Sequence, residues 1–146
     1  MKFRVTAIAV GAVAAALLTI TPASAQAAGY NHKDPYKTGC GNAAKVVRTA
    51  PLKSRVDTVG TIQLWWSGKC KTNWVEIKTA SSGHGVINVY TDKGSDRFSF
   101  KAGNGGRHWG NMMNGNNMCA WGSASVVFGS GQGGQNGSGS TTKACG

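Results

Sequence analysis

From Gly60 onward, apolar and polar residues alternate with a period of two. Ile62, Leu64 and Trp66 fall on one face of the first run, and Thr61, Gln63, Trp65 and Ser67 on the other. In an extended chain, residues two apart share a face, so this pattern predicts a half-buried strand. A turn at Ser67-Gly68-Lys69 follows. In the next run Val75, Ile77 and Thr79 oppose Trp74, Glu76 and Lys78. Residues 81–85 read as a turn and residues 86–91 as a strand with Ile87 and Val89 inward. Asp92-Lys93-Gly94 makes a second turn. Phe98, Phe100 and Ala102 then alternate with Arg97, Ser99 and Lys101, the most regular half-buried pattern in the chain. Residues 123–128 form a last short strand.

Other segments carry weaker patterns. Residues 30–40 are polar and hold Pro35 and Gly39, an irregular lead-in. Residues 43–51 fit two readings. Ala43-Ala44-Lys45 could open a short helix, whereas Val46, Val47 and Thr49 favour a strand. Pro51 is expected to end either one. Residues 103–117 are mostly Gly and Asn and read as a loop, tacked to the body by Trp109, Met112 and Met113. Residues 129–140 are rich in Gly, Ser, Gln and Asn and would be flexible on their own. No ten-residue segment has a helical period. Short strands separated by turn residues at intervals of about 8–12 residues define an all-β class, a small sandwich or barrel of about six or seven antiparallel strands.

The N-terminus changes the domain count. Lys2 and Arg4 precede an apolar run over residues 5–20, and Ala23-Ser24-Ala25 is a small-x-small cleavage site. Residues 1–25 therefore read as a secretory signal peptide, cleaved near Ala25. The competing reading, a membrane anchor, suffers from the shortness of the run and from Pro22 after it. No later stretch is apolar enough to span a bilayer, so a secreted, extracellular protein is expected. Residues 26–128 form one β domain, and residues 129–146 a Gly/Ser-rich tail. About 120 residues suffice for one modest core. Removing Lys2 and Arg4 lowers the formal net charge of +11 only by two. The positive charge thus belongs to the domain, which points to polyanions as partners or simply to solubility.

The cysteines are Cys40, Cys70, Cys119 and Cys145, all beyond the cleavage site. In an exported chain they read as two disulfides, for which three pairings are possible. Cys40–Cys70 with Cys119–Cys145 is favoured. Each would close a loop of about 25–30 residues and stabilise by about 3–4 kcal/mol through unfolded-state entropy. Bonded to Cys119, Cys145 ties the tail back as a closed loop. There is no C-x-x-C and the three His are scattered, so neither a zinc site nor a cofactor is expected.

Candidate chemistry is sparse. Gly129-Ser130-Gly131-Gln132-Gly133-Gly134 matches G-x-G-x-x-G by letter, but more linker follows it instead of a helix, and the dinucleotide reading fails. No Ser stands in a G-x-S-x-G elbow. Asp34, Asp57, Asp92 and Asp96 lie in turn-like sequence, which disfavours paired-carboxylate catalysis. One enzyme reading stays open, a small ribonuclease using Glu76, His84, Arg107 and His108. Aromatics interleaved with cations support binding by stacking. Trp65, Lys69, Lys71 and Trp74 cluster in sequence, as do Arg107, His108 and Trp109. Trp66 shares its face with Ile62 and Leu64 and reads as core. Trp65 points the other way, either under a second layer or exposed as a binding aromatic. Met112, Met113 and Met118 read as gap-filling core.

Several of these features occur together in a known pattern. Asp34-Pro35, Thr38-Gly39-Cys40, Ala43-Ala44, the strand ending at Ser67, Cys70 and Asn73-Trp74-Val75-Glu76-Ile77 resemble small secreted bacterial proteins known as domain of unknown function 2690. The resemblance covers residues 34–90, with a weaker echo in residues 109–113. It implies export, a compact β domain and a Cys40–Cys70 bond, and it brings no activity. Trp65 and Glu76 depart from the family pattern, since both stand where Arg is usual.

The expectation is therefore a secreted, basic, disulfide-linked β domain, monomeric, that binds without catalysing. The target is an anionic cell-wall polymer or polysaccharide, with Trp65, Lys69, Lys71, Glu76, Arg107 and His108 as candidate surface contacts. Two alternatives are a secreted inhibitor or toxin acting on another protein, and the ribonuclease, for which nucleic acid is the partner.

Overall fold

The computed structural model describes residues 27–129 and 136–146. The expected signal peptide over residues 1–25 and the middle of the Gly-rich segment, including most of the G-x-G-x-x-G letters, lie outside the described residues. Among the described residues, ten strands form one sheet: β1 (Lys45–Lys53), β2 (Thr58–Ser67), β3 (Thr72–Thr79), β4 (His84–Thr91), β5 (Gly94–Phe100), β6 (Arg107–Trp109), β7 (Met113–Asn114), β8 (Cys119–Val127), β9 (Gly137–Ser140) and β10 (Ala144–Cys145). Their order is β5-β4-β8-β9-β1-β2-β3-β6; β10 pairs with β8 and β7 with β3. All pairings are antiparallel. The sheet curls until it is nearly closed into a barrel. Among the described residues, no helix is long and apolar enough to cross a membrane.

The period-two runs become strands β2 to β5 and β8, with the expected residues inside. Ile62, Leu64, Val75, Ile77, Ile87, Val89 and Val126 are buried in one cluster. Strand β8 contributes Ala120, Gly122 and Ala124. Their small size matters, because a Cβ at Gly122 would lie 2.2 Å from Val75 Cγ2. Interior residues of a small barrel must fit one another's volumes, and this side of the barrel is small so that the Val75 side can be large.

The structure corrects several expectations. The strand count exceeds six or seven, because β6, β7, β9 and β10 are two to four residues long and come from segments without alternation. Residues 45–53 are strand, and Pro51 does not end it. Proline suits extended backbone and lacks only a donor, and β1 carries a register irregularity just after it, between Leu52 and Lys53. Strand β5 stops at Phe100. Of its regular stripe, Phe100 enters the core, whereas Phe98 is 37% exposed and Ala102 is exposed.

The larger correction concerns the tail. Gly137–Ser140 forms β9, which pairs with β8 along four residues and touches β1 at Lys53↔Ser138. It is the strand that joins the two halves of the barrel. Its glycines are there for close approach: a Cβ on Gly137 would lie 2.4 Å from Val59 Cγ2, and one on Gly139 2.3 Å from the Pro51 carbonyl oxygen. The β domain therefore runs past residue 128. Cys119 and Cys145 are bonded to each other, and Cys40 to Cys70.

Candidate functional site

Strand β3 is buried on both faces. Its inward face carries Val75 and Ile77. Its outward face, Trp74 and Glu76, is covered by the lead-in that precedes β1. The bond between Cys40 and Cys70 holds that lead-in, and a second buried cluster of Cys40, Cys70, Trp74 and Met112 forms beneath it, with Tyr30, Trp65 and Trp109 packed on its sides. Glu76, expected on an outward surface, is only 3% exposed. A two-layer argument treats one face of each strand as solvent-facing, and here a third layer lies over β3.

A buried carboxylate needs partners, and Glu76 has four hydrogen bonds. Trp74 Nε1 donates to Oε1 at 3.1 Å, and Arg107 donates to Oε2 from Nε at 3.0 Å and from Nη2 at 2.8 Å. The Tyr36 hydroxyl donates to Oε1 and accepts from Arg107 Nη2 at 2.6 Å. The Arg107 guanidinium also lies over the Tyr36 and Trp109 rings, at 5.2 and 5.3 Å from their centroids. Burial of the Tyr36 hydroxyl, followed by its bond to Glu76 and that group's charge, raises its pKa well above the ordinary phenol value. Burial works against the Arg107 charge, but Glu76 outweighs it and raises the pKa.

Asp34 secures the start of this layer. Its Oδ1 accepts from the backbone N–H groups of Tyr36 at 2.8 Å and Lys37 at 3.0 Å, and its Oδ2 from Trp109 Nε1 at 3.1 Å. Burial alone would raise the Asp34 carboxyl; these bonds outweigh it and hold its pKa below the usual value. The remaining acids are also occupied. Asp57 accepts from Thr58 N, Asp92 from Cys119 N, and Asp96 bonds His32 and Asn111.

His108 does not join Glu76. It is 7% exposed, stacked on Phe100 with ring centroids 4.4 Å apart, and its buried Nε2 has no partner among the described residues. Burial lowers its pKa. It borders a shallow cleft of about 270 Å³ at the seam between β5 and β6, with Phe98, Lys101 and Trp109. Neither Glu76 nor His84 lines that cleft. His84 is exposed at the start of β4.

Trp65 and Trp66 separate as neighbours in a strand must; both are half-buried, and it is Trp66 that borders a depression. Trp65 is stacked on its cross-strand partner Trp74, centroids 6.0 Å apart and planes 14° apart, and its buried Nε1 has no partner among the described residues. Trp66 ends the inward stripe of Ile62 and Leu64. It sits where the barrel opens, half-buried at the wall of a depression of about 350 Å³. Lys45, Trp66 and Asn73 lie side by side there, because the register pairs Lys45 with Trp66 and Trp66 with Asn73. Lys71, Asn116, Asn117 and Met118 complete one wall, and Ala144 and Cys145 the other. Gly115 lets its loop approach this closely: a Cβ there would lie 2.0 Å from Asn73 Oδ1 and 3.2 Å from Trp66 Cζ3. No Asp or Glu side chain lines the depression.

The six candidate contacts thus scatter. Glu76 and Arg107 meet as an ion pair, Lys71 enters the mouth of the barrel, Trp65 stacks on Trp74, His108 lies at the seam, and Lys69 stands exposed in the β2–β3 turn. Lys45, Asn73 and Asn116 carried no signal in sequence, since only the register and the loop after β7 bring them to Trp66.

These features define a class: a two-disulfide antiparallel β-barrel with an N-terminal layer stapled over one strand and a basic, aromatic-walled mouth. A family model described as protein of unknown function (DUF2690) matches residues 28–120, and the chain belongs to this family. The match extends beyond the resemblance over residues 34–90 and stops inside β8. No curated protein and no solved structure matches the chain.

Proposed function

We propose that this protein is a secreted, non-enzymatic binder of an anionic or polysaccharide polymer of the cell envelope, and that the mouth of the barrel is its contact site. The depression at Trp66 carries the reading. It combines one indole, the ammonium groups of Lys45 and Lys71 and the carboxamides of Asn73, Asn116 and Asn117, with no acidic side chain among them. Indole faces stack on sugar rings or other flat groups, carboxamides hydrogen-bond hydroxyls, and lysines attract phosphate or carboxylate. Barrel mouths are common places for such sites.

The charge balance supports the same reading. Of the 14 Lys and Arg side chains among the described residues, only Arg107 and Lys143 pair with an acid. The five acids are spent on the fold. Among the described residues the acid and base types of a ribonuclease are dispersed, with Glu76 saturated by its donors and both His84 and His108 away from it.

Purified envelope polymer tests the reading. The protein is expected to be retained on isolated cell walls at low ionic strength and released by salt, since exposed charges are screened at about 0.15 M and above. Trp66→Ala and the pair Lys45→Gln/Lys71→Gln should each lower retention about ten-fold or more. No retention at low salt would end the reading. Cleavage of RNA by the same preparation, or specific capture of one secreted protein, would replace it with the nuclease or the inhibitor.

A further inference from the structure

The two disulfides stand in opposite surroundings. Cys40 and Cys70 are 0% and 2% exposed and packed against Trp74 and Met112. Cys119 is half-buried, Cys145 is exposed, and Cys145 lines the basic mouth beside Lys45 and Lys71. The segment that carries Cys145 is lightly held. Thr141 anchors it, donating its N–H to the Gly122 carbonyl at 2.9 Å and accepting from Gly122 N at 3.0 Å. Beyond that anchor, β10 pairs with β8 at only two positions, Ala144↔Ala120 and Cys145↔Cys119. Ala144 is half-buried against the core, and the other contacts lie at the surface: Arg48 Nε bonds the Lys143 carbonyl at 3.0 Å, and Lys143 Nζ sits 3.8 Å from Asp92 and 4.3 Å from the Trp121 ring centre. Exposed pairs of this kind contribute little.

We propose that Cys119–Cys145 is a thiol-exchange site for an external dithiol, and that its opening unlatches one wall of the barrel mouth. A thiolate of the dithiol attacks Sγ of Cys145. The S–S bond breaks, Cys119 leaves as a thiolate and takes a proton from water, and a mixed disulfide remains on Cys145. The second thiol of the reagent, as thiolate, attacks its own partner sulfur in that mixed disulfide and releases Cys145. The dithiol is oxidised by two electrons and the protein cystine becomes two thiols. Lys45 and Lys71, which line the mouth together with Cys145, attract the incoming thiolate. The Cys40–Cys70 bond lies under the lead-in, out of reach of the same attack. Once Cys119 and Cys145 part, residues 142–146 are free to swing about Thr141, and Ala144 and Cys145 leave the depression they line. This chemistry does not depend on what the mouth binds.

The test is differential alkylation of the native full-length protein. The folded protein is treated with graded dithiothreitol, quenched with iodoacetamide and mapped by peptide mass spectrometry. Cys119 and Cys145 should be labelled about ten-fold or more faster than Cys40 and Cys70, with the circular dichroism spectrum unchanged. Lys45→Gln/Lys71→Gln should slow reduction by glutathione, an anionic thiol, more than reduction by cysteamine, a cationic one. Equal labelling of the two pairs, prior labelling of Cys40 and Cys70, or labelling only as the spectrum collapses would each overturn the proposal. The Cys119→Ser/Cys145→Ser variant should remain folded. If it does not, the wild-type labelling order still decides.

Discussion

Replacing Arg107 with Ala should cost more than replacing Glu76 with Gln, although both remove the same ion pair. The side chains differ in exposure: 50% for Arg107 and 4% for Glu76. In R107A the carboxylate stays buried with only Trp74 Nε1 and the Tyr36 hydroxyl to hold it. Breaking a buried pair from one side typically costs about 3–5 kcal/mol. The half-exposed guanidinium reduces what is lost here to about 2–4 kcal/mol. In E76Q the buried charge is gone, Trp74 still finds a carbonyl oxygen, and Arg107 can turn to water. The loss is then that of charge-assisted hydrogen bonds made neutral, about 1–2 kcal/mol. The double variant E76Q/R107A should be as stable as E76Q or nearly so, and therefore more stable than R107A. Urea titrations followed by tryptophan fluorescence, with both disulfides intact, measure all three. The effect should persist in 0.5 M salt, because the carboxylate is not screened by solvent. Equal losses in the two single variants, or a double variant as unstable as their sum, would refute the view that Glu76 is a buried charge dependent on Arg107.

Two more predictions probe the barrel. Gly139→Ala places a Cβ 2.3 Å from the Pro51 carbonyl oxygen and 3.2 Å from Leu52 Cδ2, so it should lower stability by about 1–3 kcal/mol; Gly129→Ala, with nothing within 4 Å, should stay within about 0.5 kcal/mol. Equal denaturation midpoints for the two would mean that β9 does not close the barrel. His108→Phe keeps the stack on Phe100 and removes an unpartnered buried nitrogen, so it should be neutral or stabilising by up to about 1 kcal/mol at pH 7. The folded pKa of His108 lies below its ordinary 6.5. The unfolded chain therefore binds the proton first, and stability is lost as pH falls through 6.5 toward the folded value. H108F should lose less stability between pH 7 and 5.5 than the wild type in thermal melts, and an identical pH slope would reject a buried neutral His108.

The legible part of the fold is the part that obeys one rule at a time. Ile62, Leu64, Val75, Ile77, Ile87 and Val89 show their burial through alternation alone, and the strands they sit on were readable for that reason. Glu76 was not. Its strand alternates correctly, but alternation says only which residues share a face. It does not say whether a second layer covers the outer one. The signals for that layer were present as separate fragments: Cys40 far from Cys70, Asp34 before Pro35 and Tyr36, and Arg107 in a glycine-rich run. Only the three-dimensional structure joins them. The glycines of residues 137–140 misled in a different way. Glycine marks both freedom and close approach, and composition cannot tell a loose linker from a strand squeezed between β8 and β1.

Trp65 and Trp66 show how neighbouring residues of one strand come to stand in different surroundings. The period of two assigns Trp66 inward and Trp65 outward, and both assignments hold. What exposure follows depends on where along the barrel each falls and on what lies over the sheet. Trp65 is outward but half-buried under the lead-in and stacked on Trp74. Trp66 is inward but at the last inward step of β2, where the barrel has run out of facing side chains and opens. An inward aromatic at a barrel's end is half core and half platform. Leu64, two residues earlier on the same stripe, is fully buried. Moving the candidate platform by one residue also replaces its companions. Lys69 and Glu76 drop away, Lys45 and Asn73 arrive through the register, and Lys71 alone is retained.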